Sequence, residues 1–217
     1  MYAKHIKRLL DIMVGIASLP FLALLFALLA PLIYLEDRGP IFYNATRVGK
    51  DGKPFCMYKF RSMKFKAPDI TSADGTTYND KNDPRITRIG RFMRASSLDE
   101  FPQFLNILKG DMSLIGPRPH LEREVALYTQ EQRARLKARP GLTGLAAVEG
   151  RNLLSWEERL AKDVYYVNHL SFKLDLHIFC KTFVVLCKRE GIYEQDNEYG
   201  TITPQDQSVQ SNSSYKH

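Results

Sequence analysis

Residues 12–35 contain no Lys, Arg, Asp or Glu. Wound as a helix, these 24 residues reach about 36 Å, enough for a bilayer core of about 30 Å. Lys4, Lys7 and Arg8 precede the run. Arg38, Arg47, Lys50, Lys53, Lys59, Arg61, Lys64 and Lys66 follow it. Basic flanks belong in the cytoplasm, and a single crossing would export one set. Pro20 removes a helical hydrogen bond inside the run, and Ser18 is near enough to serve the freed group. The arm from Pro20 onward reaches only about 24 Å. These features favour a re-entrant helix–break–helix over residues 1–38, with both ends on one side. A straight anchor that tolerates its proline is the alternative. Large residues throughout, and no small-x-small site after them, argue against a cleaved leader.

Beyond the run the pattern becomes mixed and amphipathic. Residues 39–190 read as a small cytosolic catalytic domain of α+β type, mostly helical. Short β-like stretches at 41–43 and 55–60 flank the turn Lys50-Asp51-Gly52-Lys53. Residues 67–84 have the Pro, Asp, Ser, Thr, Gly and Asn content of a surface loop. Helices are predicted over 87–95, 99–109, 121–138, 156–170 and 173–188. In the second, Phe101, Phe104, Leu105 and Leu108 follow the i, i+3, i+4, i+7 rule and Gly110 stops it. The last carries Leu174, Leu176, Ile178, Phe179 and Phe183 with Lys173, Lys181 and Lys188. It suits a membrane interface or an ordinary core equally well. Residues 191–217 read as a polar, disordered tail.

Composition changes this picture in one respect. The chain is 44% hydrophobic and 25% charged, as globular proteins are, but its net charge is +7. Such an excess calls for an anionic partner, whether nucleic acid, acidic lipid or a phosphorylated substrate. Nothing resembles a nucleic-acid-binding motif, and no nucleic acid is expected as a partner. Cys56, Cys180 and Cys187 match no zinc spacing and read as reduced thiols. Dinucleotide-binding, P-loop and nucleophile-elbow motifs are missing too.

The chemistry concentrates in Ser96-Ser97-Leu98-Asp99-Glu100-Phe101-Pro102. Ser97 with Glu100 makes a capping box, and acidic residues suit a helix start. With Asp99 as the cap, Pro102 falls in the first turn, where its missing N–H is harmless. On either reading two carboxylates stand where backbone N–H groups converge, a place that also receives phosphate. Arg85, Arg88, Arg91 and Arg94 recur at every third position upstream, as a solvated helix face or as guanidinium forks for phosphate. Carboxylates beside a diphosphate need a cation, and Mg²⁺ prefers one or two carboxylates together with substrate phosphates. Downstream, Gly116-Pro117-Arg118-Pro119 holds Arg118 out from a rigid loop. Arg139-Pro140-Gly141-Leu142-Thr143-Gly144 and Gly150-Arg151-Asn152 set an arginine beside glycine, which suits a ligand or a plain turn.

In order along the chain, these motifs resemble the monotopic phosphoglycosyl transferases of the bacterial sugar transferase family, in their small single-domain form. The resemblance rests on Lys7-Arg8-Leu9-Leu10-Asp11, Tyr58-Lys59-Phe60-Arg61-Ser62-Met63, Asp83-Pro84-Arg85-Ile86-Thr87 and Ser97-Leu98-Asp99-Glu100. It continues through Leu108-Lys109-Gly110-Asp111-Met112-Ser113, Gly116-Pro117-Arg118-Pro119, Arg139-Pro140-Gly141 and Gly150-Arg151-Asn152. It implies a monotopic protein of the bacterial inner membrane, with amphipathic interfacial helices and an active site on the cytoplasmic face. Asp99 matches the family's nucleophile and Glu100 its Mg²⁺ ligand. Lys59, Arg94, Arg118 and Arg151 match positions that line the nucleotide-sugar site. The implied substrates are a UDP-sugar and a polyprenyl phosphate, and the implied intermediate is a phosphosugar on Asp99. Two differences stand out. Leu19 separates Ser18 from Pro20, which many relatives have adjacent. Leu145-Ala146-Ala147-Val148-Glu149-Gly150 replaces a segment in which relatives carry a Trp and an amide.

Overall fold

The computed structural model describes residues 2–68, 70, 83–150 and 153–188, with the side chains of Lys4 and Lys188 left aside. Helix α1 covers Lys7–Asp37, after a π-helical turn at Tyr2–Ile6. It is the one described helix long and apolar enough to cross a membrane. Its 31 residues span about 46 Å. No break interrupts it at Pro20: both Pro20 and Pro31 lie inside continuous helix. The Ser18 hydroxyl donates to the Gly15 carbonyl at 2.7 Å, one residue short of the group that Pro20 frees. The expected division into two helices is therefore corrected to one helix that absorbs its prolines, as helices with few competing polar groups can.

One seam of α1 meets the rest of the chain. Leu22, Leu25, Leu29 and Ile33 are buried with Phe60 and Met93. The opposite faces leave Leu9, Met13, Ile16, Leu24, Leu28, Leu32 and Leu35 exposed. Polar contacts fasten both ends. At the start, Arg8 donates to the carbonyls of Ile107 and Leu108 at 2.5 and 2.8 Å, and buried Asp11 accepts from Leu114 N–H at 2.8 Å. At the finish, the two Nη atoms of Arg61 each meet an oxygen of Asp37 at 2.6 Å. Glu36 accepts from the N–H groups of Arg88 and Ile89.

The domain itself follows the predicted order with shifted edges. Strands β1 (Phe42–Val48) and β2 (Pro54–Phe60) form an antiparallel hairpin in which Tyr43 opposes Lys59 and Arg47 opposes Phe55. Helix α2 (Arg88–Ser96) starts at Thr87, whose hydroxyl accepts from Gly90 N–H at 2.9 Å. Helix α3 (Gln103–Lys109) ends on Gly110, whose φ of 95° only glycine adopts readily. Its buried face is Gln103, Phe104, Asn106 and Ile107, while Leu105 is exposed, so the predicted apolar stripe is rotated.

Strands β3 (Ser113–Ile115) and β4 (Gly141–Thr143) pair in parallel. A Cβ on Gly141 would lie 2.1 Å from the Gly116 nitrogen, so the glycines of Gly116-Pro117 and Pro140-Gly141 serve strand packing, not ligand approach. The helix predicted over 121–138 is corrected to α4 (Glu122–Ala126) and a 3₁₀ stretch, Gln132–Lys137. Thr129 and Gln132 exchange hydrogen bonds, a reciprocal cap that restarts the chain there. Helices α5 (Leu145–Val148), α6 (Trp156–Asn168) and α7 (Phe172–Lys188) close the domain. Helix α7 buries Asp175 and Ile178 but leaves Phe172, Leu176, Phe179 and Phe183 exposed, so it is only half a core helix.

Candidate active site

Helix α2 ends when Ser97 enters the left-handed region at φ 56°. A 3₁₀ turn, Leu98–Glu100, follows, and Pro102 leads into α3. The Ser97 side chain caps nothing, so neither predicted cap, Ser97 or Asp99, exists. The acidic pair sits on an elbow between two helices, because the chain leaves α2 by a left-handed residue before α3 has begun. What meets Asp99 is a cation from the hairpin. Lys59 Nζ lies 2.8 Å from Asp99 Oδ2 and 3.5 Å from Glu100 Oε1. Asp99 is 2% exposed, and its Oδ2 receives no directed hydrogen bond, so the ion pair is its compensation.

The Pro-Arg-Pro loop approaches from the other side. Arg118 Nη2 is 3.4 Å from Glu100 Oε1, and the Arg118 side chain is 69% exposed. Its backbone is pinned, since Arg135 Nη2 donates to the Arg118 carbonyl at 2.7 Å and Arg135 is itself bound to buried Asp163. The backbone of the loop is thus fixed, while the guanidinium stands largely exposed beside Glu100.

The upstream arginines divide. Arg85 is buried and paired with Asp83 at 2.7 Å, a structural contact. Arg88 and Arg91 are exposed. Arg94 turns to the segment that follows the site's strand, donating from Nε to Ser62 Oγ at 3.0 Å. Arg151 lies outside the described residues, as do most of the 67–84 loop and the tail. Lys59, Asp99, Glu100 and Arg118 are thus brought together, with Arg94 beside the segment that follows Lys59.

Among the described residues no three His, Cys, Asp or Glu side chains cluster as a metal cage. The donor set fits a hard cation only in the manner of Mg²⁺, through one carboxylate with the remaining ligands from substrate phosphates and water.

Sequence reasoning missed Asn106. It is fully buried, accepts from Tyr58 N–H at 2.9 Å and donates to the Cys56 carbonyl at 2.7 Å. Its amide completes the open edge of β2 and so ties the strand carrying Lys59 to the helix following Glu100. The available signal was an amide on the inward face of an otherwise apolar helix.

The site is thus an acidic pair bridled by cations, on a domain strapped along an exposed apolar helix long enough to cross a membrane. The family model for bacterial sugar transferases matches residues 2–189, and the chain belongs to that family. It is 40% identical to EpsL of Bacillus subtilis, an uncharacterized sugar transferase, over 88% of this chain and 92% of that one. It is also 40% identical to the exopolysaccharide production protein ExoY of Sinorhizobium fredii, over 86% and 88%. With the UDP-glucose:undecaprenyl-phosphate glucose-1-phosphate transferase of Caulobacter vibrioides it shares 39% identity, over 86% and 72%.

Proposed function

We propose that the chain moves a sugar 1-phosphate from a UDP-sugar to a polyprenyl phosphate, giving a polyprenyl-diphosphate sugar and UMP. The observation that carries this reading is the buried, under-coordinated Asp99 oxygen held 2.8 Å from Lys59. An acceptor with no directed donor is poised to form a bond. In the first step Asp99 Oδ2 attacks the phosphorus that bears the sugar, the P–O bond to UMP breaks, and a phosphosugar–Asp99 ester remains. In the second, a polyprenyl phosphate oxygen attacks the same phosphorus and Asp99 leaves as a carboxylate. Lys59, Arg94 and Arg118 offset the donor's negative charge, and Arg151 is assigned the same task. Glu100 is the proposed Mg²⁺ ligand, the metal supplying charge neutralisation at the diphosphate when bound.

The lipid acceptor accounts for the apolar surface. Both ends of α1 are bonded to one domain, so the unbroken helix lies along the side of the membrane where that domain lies. This supports a monotopic protein of the inner membrane, on its cytoplasmic face, without a break in the helix. The exposed aromatic residues of α7 fit the headgroup region beside it. The names of relatives such as ExoY support a role in exopolysaccharide or related glycoconjugate assembly.

The test is intact-protein mass after mixing with a UDP-sugar panel and no lipid. One added phosphosugar, chased off by polyprenyl phosphate with UMP already released, is the expected result. Turnover without any adduct under rapid quenching would overturn the covalent route. For topology, Tyr2→Cys should stay protected from an impermeant thiol reagent in intact cells, and labelling from outside would overturn the one-sided reading.

A further inference from the structure

Arg47 has no place in the site described above, yet it lacks the carboxylate partner that the buried arginines of the domain have. Arg61, Arg85 and Arg135 are buried, and each is bound to an aspartate: Asp37, Asp83 and Asp163. Among the described residues Arg47 makes no side-chain hydrogen bond and no ion pair, and its Nε is buried without an acceptor. Burial above all pushes its pKa down. Glu124 opposes this through space, and the charges of Arg118 and Arg123 add to it. Glu124 also accepts from Leu121 N–H at 2.8 Å. Arg47 is half-buried, and a buried N–H without an acceptor calls for a cause. A partner from outside the chain is the simplest one.

Position says which partner. Arg47 opposes Phe55 and Tyr43 opposes Lys59, so both pairs lie on one face of the hairpin. Four residues separate them, about 13 Å at the usual rise. The Tyr43 end is the apolar one, where Phe42 stacks on Phe26 of α1 at 5.7 Å. Arg47 is at the opposite end, in the lining of a cavity of about 310 Å³ with Val48, Val125 and Leu136. Arg118 lies 3.4 Å from Glu100, and two residues after it the His120 carbonyl accepts from Val48 N–H, next to Arg47, at 3.0 Å.

We propose that Arg47 is a donor-recognition residue, taking the nucleoside monophosphate part of the nucleotide sugar while Lys59 and Asp99 face the sugar phosphate. This rests on the transferase reading above. A guanidinium presents forked donors to phosphate or carbonyl oxygens. Its distance from the membrane-facing end favours the soluble substrate over the lipid phosphate.

The test uses the full chain in lipid nanodiscs with Arg47→Met and Arg47→Lys. Four quantities are read: KM for the UDP-sugar, KM for polyprenyl phosphate, the inhibition constant of UMP, and Tm. Arg47→Met should raise the donor KM and the UMP constant together by about tenfold or more. It should leave the acceptor KM unchanged and leave Tm equal or higher, because a buried N–H without an acceptor is gone. Arg47→Lys should weaken UMP by a smaller factor, and it carries the test if the Met variant does not fold. A lower Tm with unaltered donor KM makes Arg47 structural and overturns the proposal. A rise confined to the acceptor KM overturns it in favour of the lipid phosphate. Wild type that releases no UMP from any UDP-sugar refutes the transferase reading and this proposal with it. Active wild type with unchanged UMP inhibition in both variants refutes the Arg47 assignment alone.

Discussion

Asp99 and Asp175 are the same residue at nearly the same burial, 2% and 4% exposed, and each faces a lysine. Their surroundings differ. Asp175 Oδ2 accepts from Tyr2 at 2.5 Å and from Lys7 at 2.7 Å, and its Oδ1 accepts from Tyr166 at 2.7 Å. Burial, then the charge of Asp175, pushes the pKa of the Tyr166 phenol up, so that group stays a donor. Both oxygens of Asp175 thus accept directed hydrogen bonds. Asp99 has one cation and no directed donor on Oδ2. A saturated carboxylate joins elements, here the start of α1 to α6 and α7. An unsaturated one keeps a lone pair for bond formation at the expense of stability.

Exchanging each for its amide breaks the comparison most sharply. Asp99→Asn keeps the shape and removes the attacking anion, so turnover should fall by at least about 10³-fold, as for loss of a nucleophile elsewhere. Its melting temperature should change little. Normal turnover by that variant, or a phosphosugar adduct on it, would sink the nucleophile assignment. Asp175→Asn should behave in the opposite way. Removing one partner of a buried pair costs about 3–5 kcal/mol. Denaturant unfolding should show that loss, while the folded fraction keeps the wild-type donor KM. A reduced kcat with unchanged stability would mean that Asp175 belongs to the chemistry.

This contrast was only half legible in the sequence. The order of elements, the Thr87 start of α2 and the Gly110 stop of α3 followed from local rules, because caps and terminators act within a few residues. The acidic pair was visible as well. What surrounds it was not. Ser97-Leu98-Asp99-Glu100 carries the letters of a capping box, and nothing local shows that Ser97 turns left-handed instead. Lys59 lies forty residues before Asp99, and their meeting depends on Asn106 tying β2 to α3. Arg139-Pro140-Gly141 suited a ligand or a turn equally, and only its contact with the distant Gly116 decides between them. Arg85 matched the periodic arginine series, but Asp83 two residues away had already claimed it.

Arg118→Lys probes the open side of the site. The Pro117 and Pro119 loop stays rigid, but lysine cannot offer two parallel donors to a phosphate. Loss of one charge-assisted hydrogen bond is worth about 1.5–3 kcal/mol, or tenfold and more in donor affinity. Stability should be untouched, because the Arg118 side chain is largely exposed and its backbone, not its guanidinium, is what Arg135 holds. Unchanged kinetics in this variant would return Arg118 to a structural role.

The smallest effect concerns the elbow that presents Asp99. Ser97 is held at φ 56° and ψ 19°, a region that suits glycine, and its hydroxyl caps no helix. A non-glycine residue there costs about 1 kcal/mol. Ser97→Gly removes that strain but also loosens the unfolded chain, which cancels part of the gain. The net change in unfolding free energy should be stabilising and under about 1 kcal/mol. Kinetics then separate two uses of the strained residue. If Ser97 only ends α2, the glycine variant gains stability and keeps its kcat. If a stiff elbow is needed to hold Asp99 against Lys59, kcat falls while the donor KM stays constant, because the binding groups on β2 and the Pro-Arg-Pro loop are unmoved. The rigid placement of Lys59 by Asn106 favours the second outcome, since a nucleophile on a loose turn would waste a partner held that firmly. A kcat equal to wild type would show that the pairing is set by β2 and α3 alone.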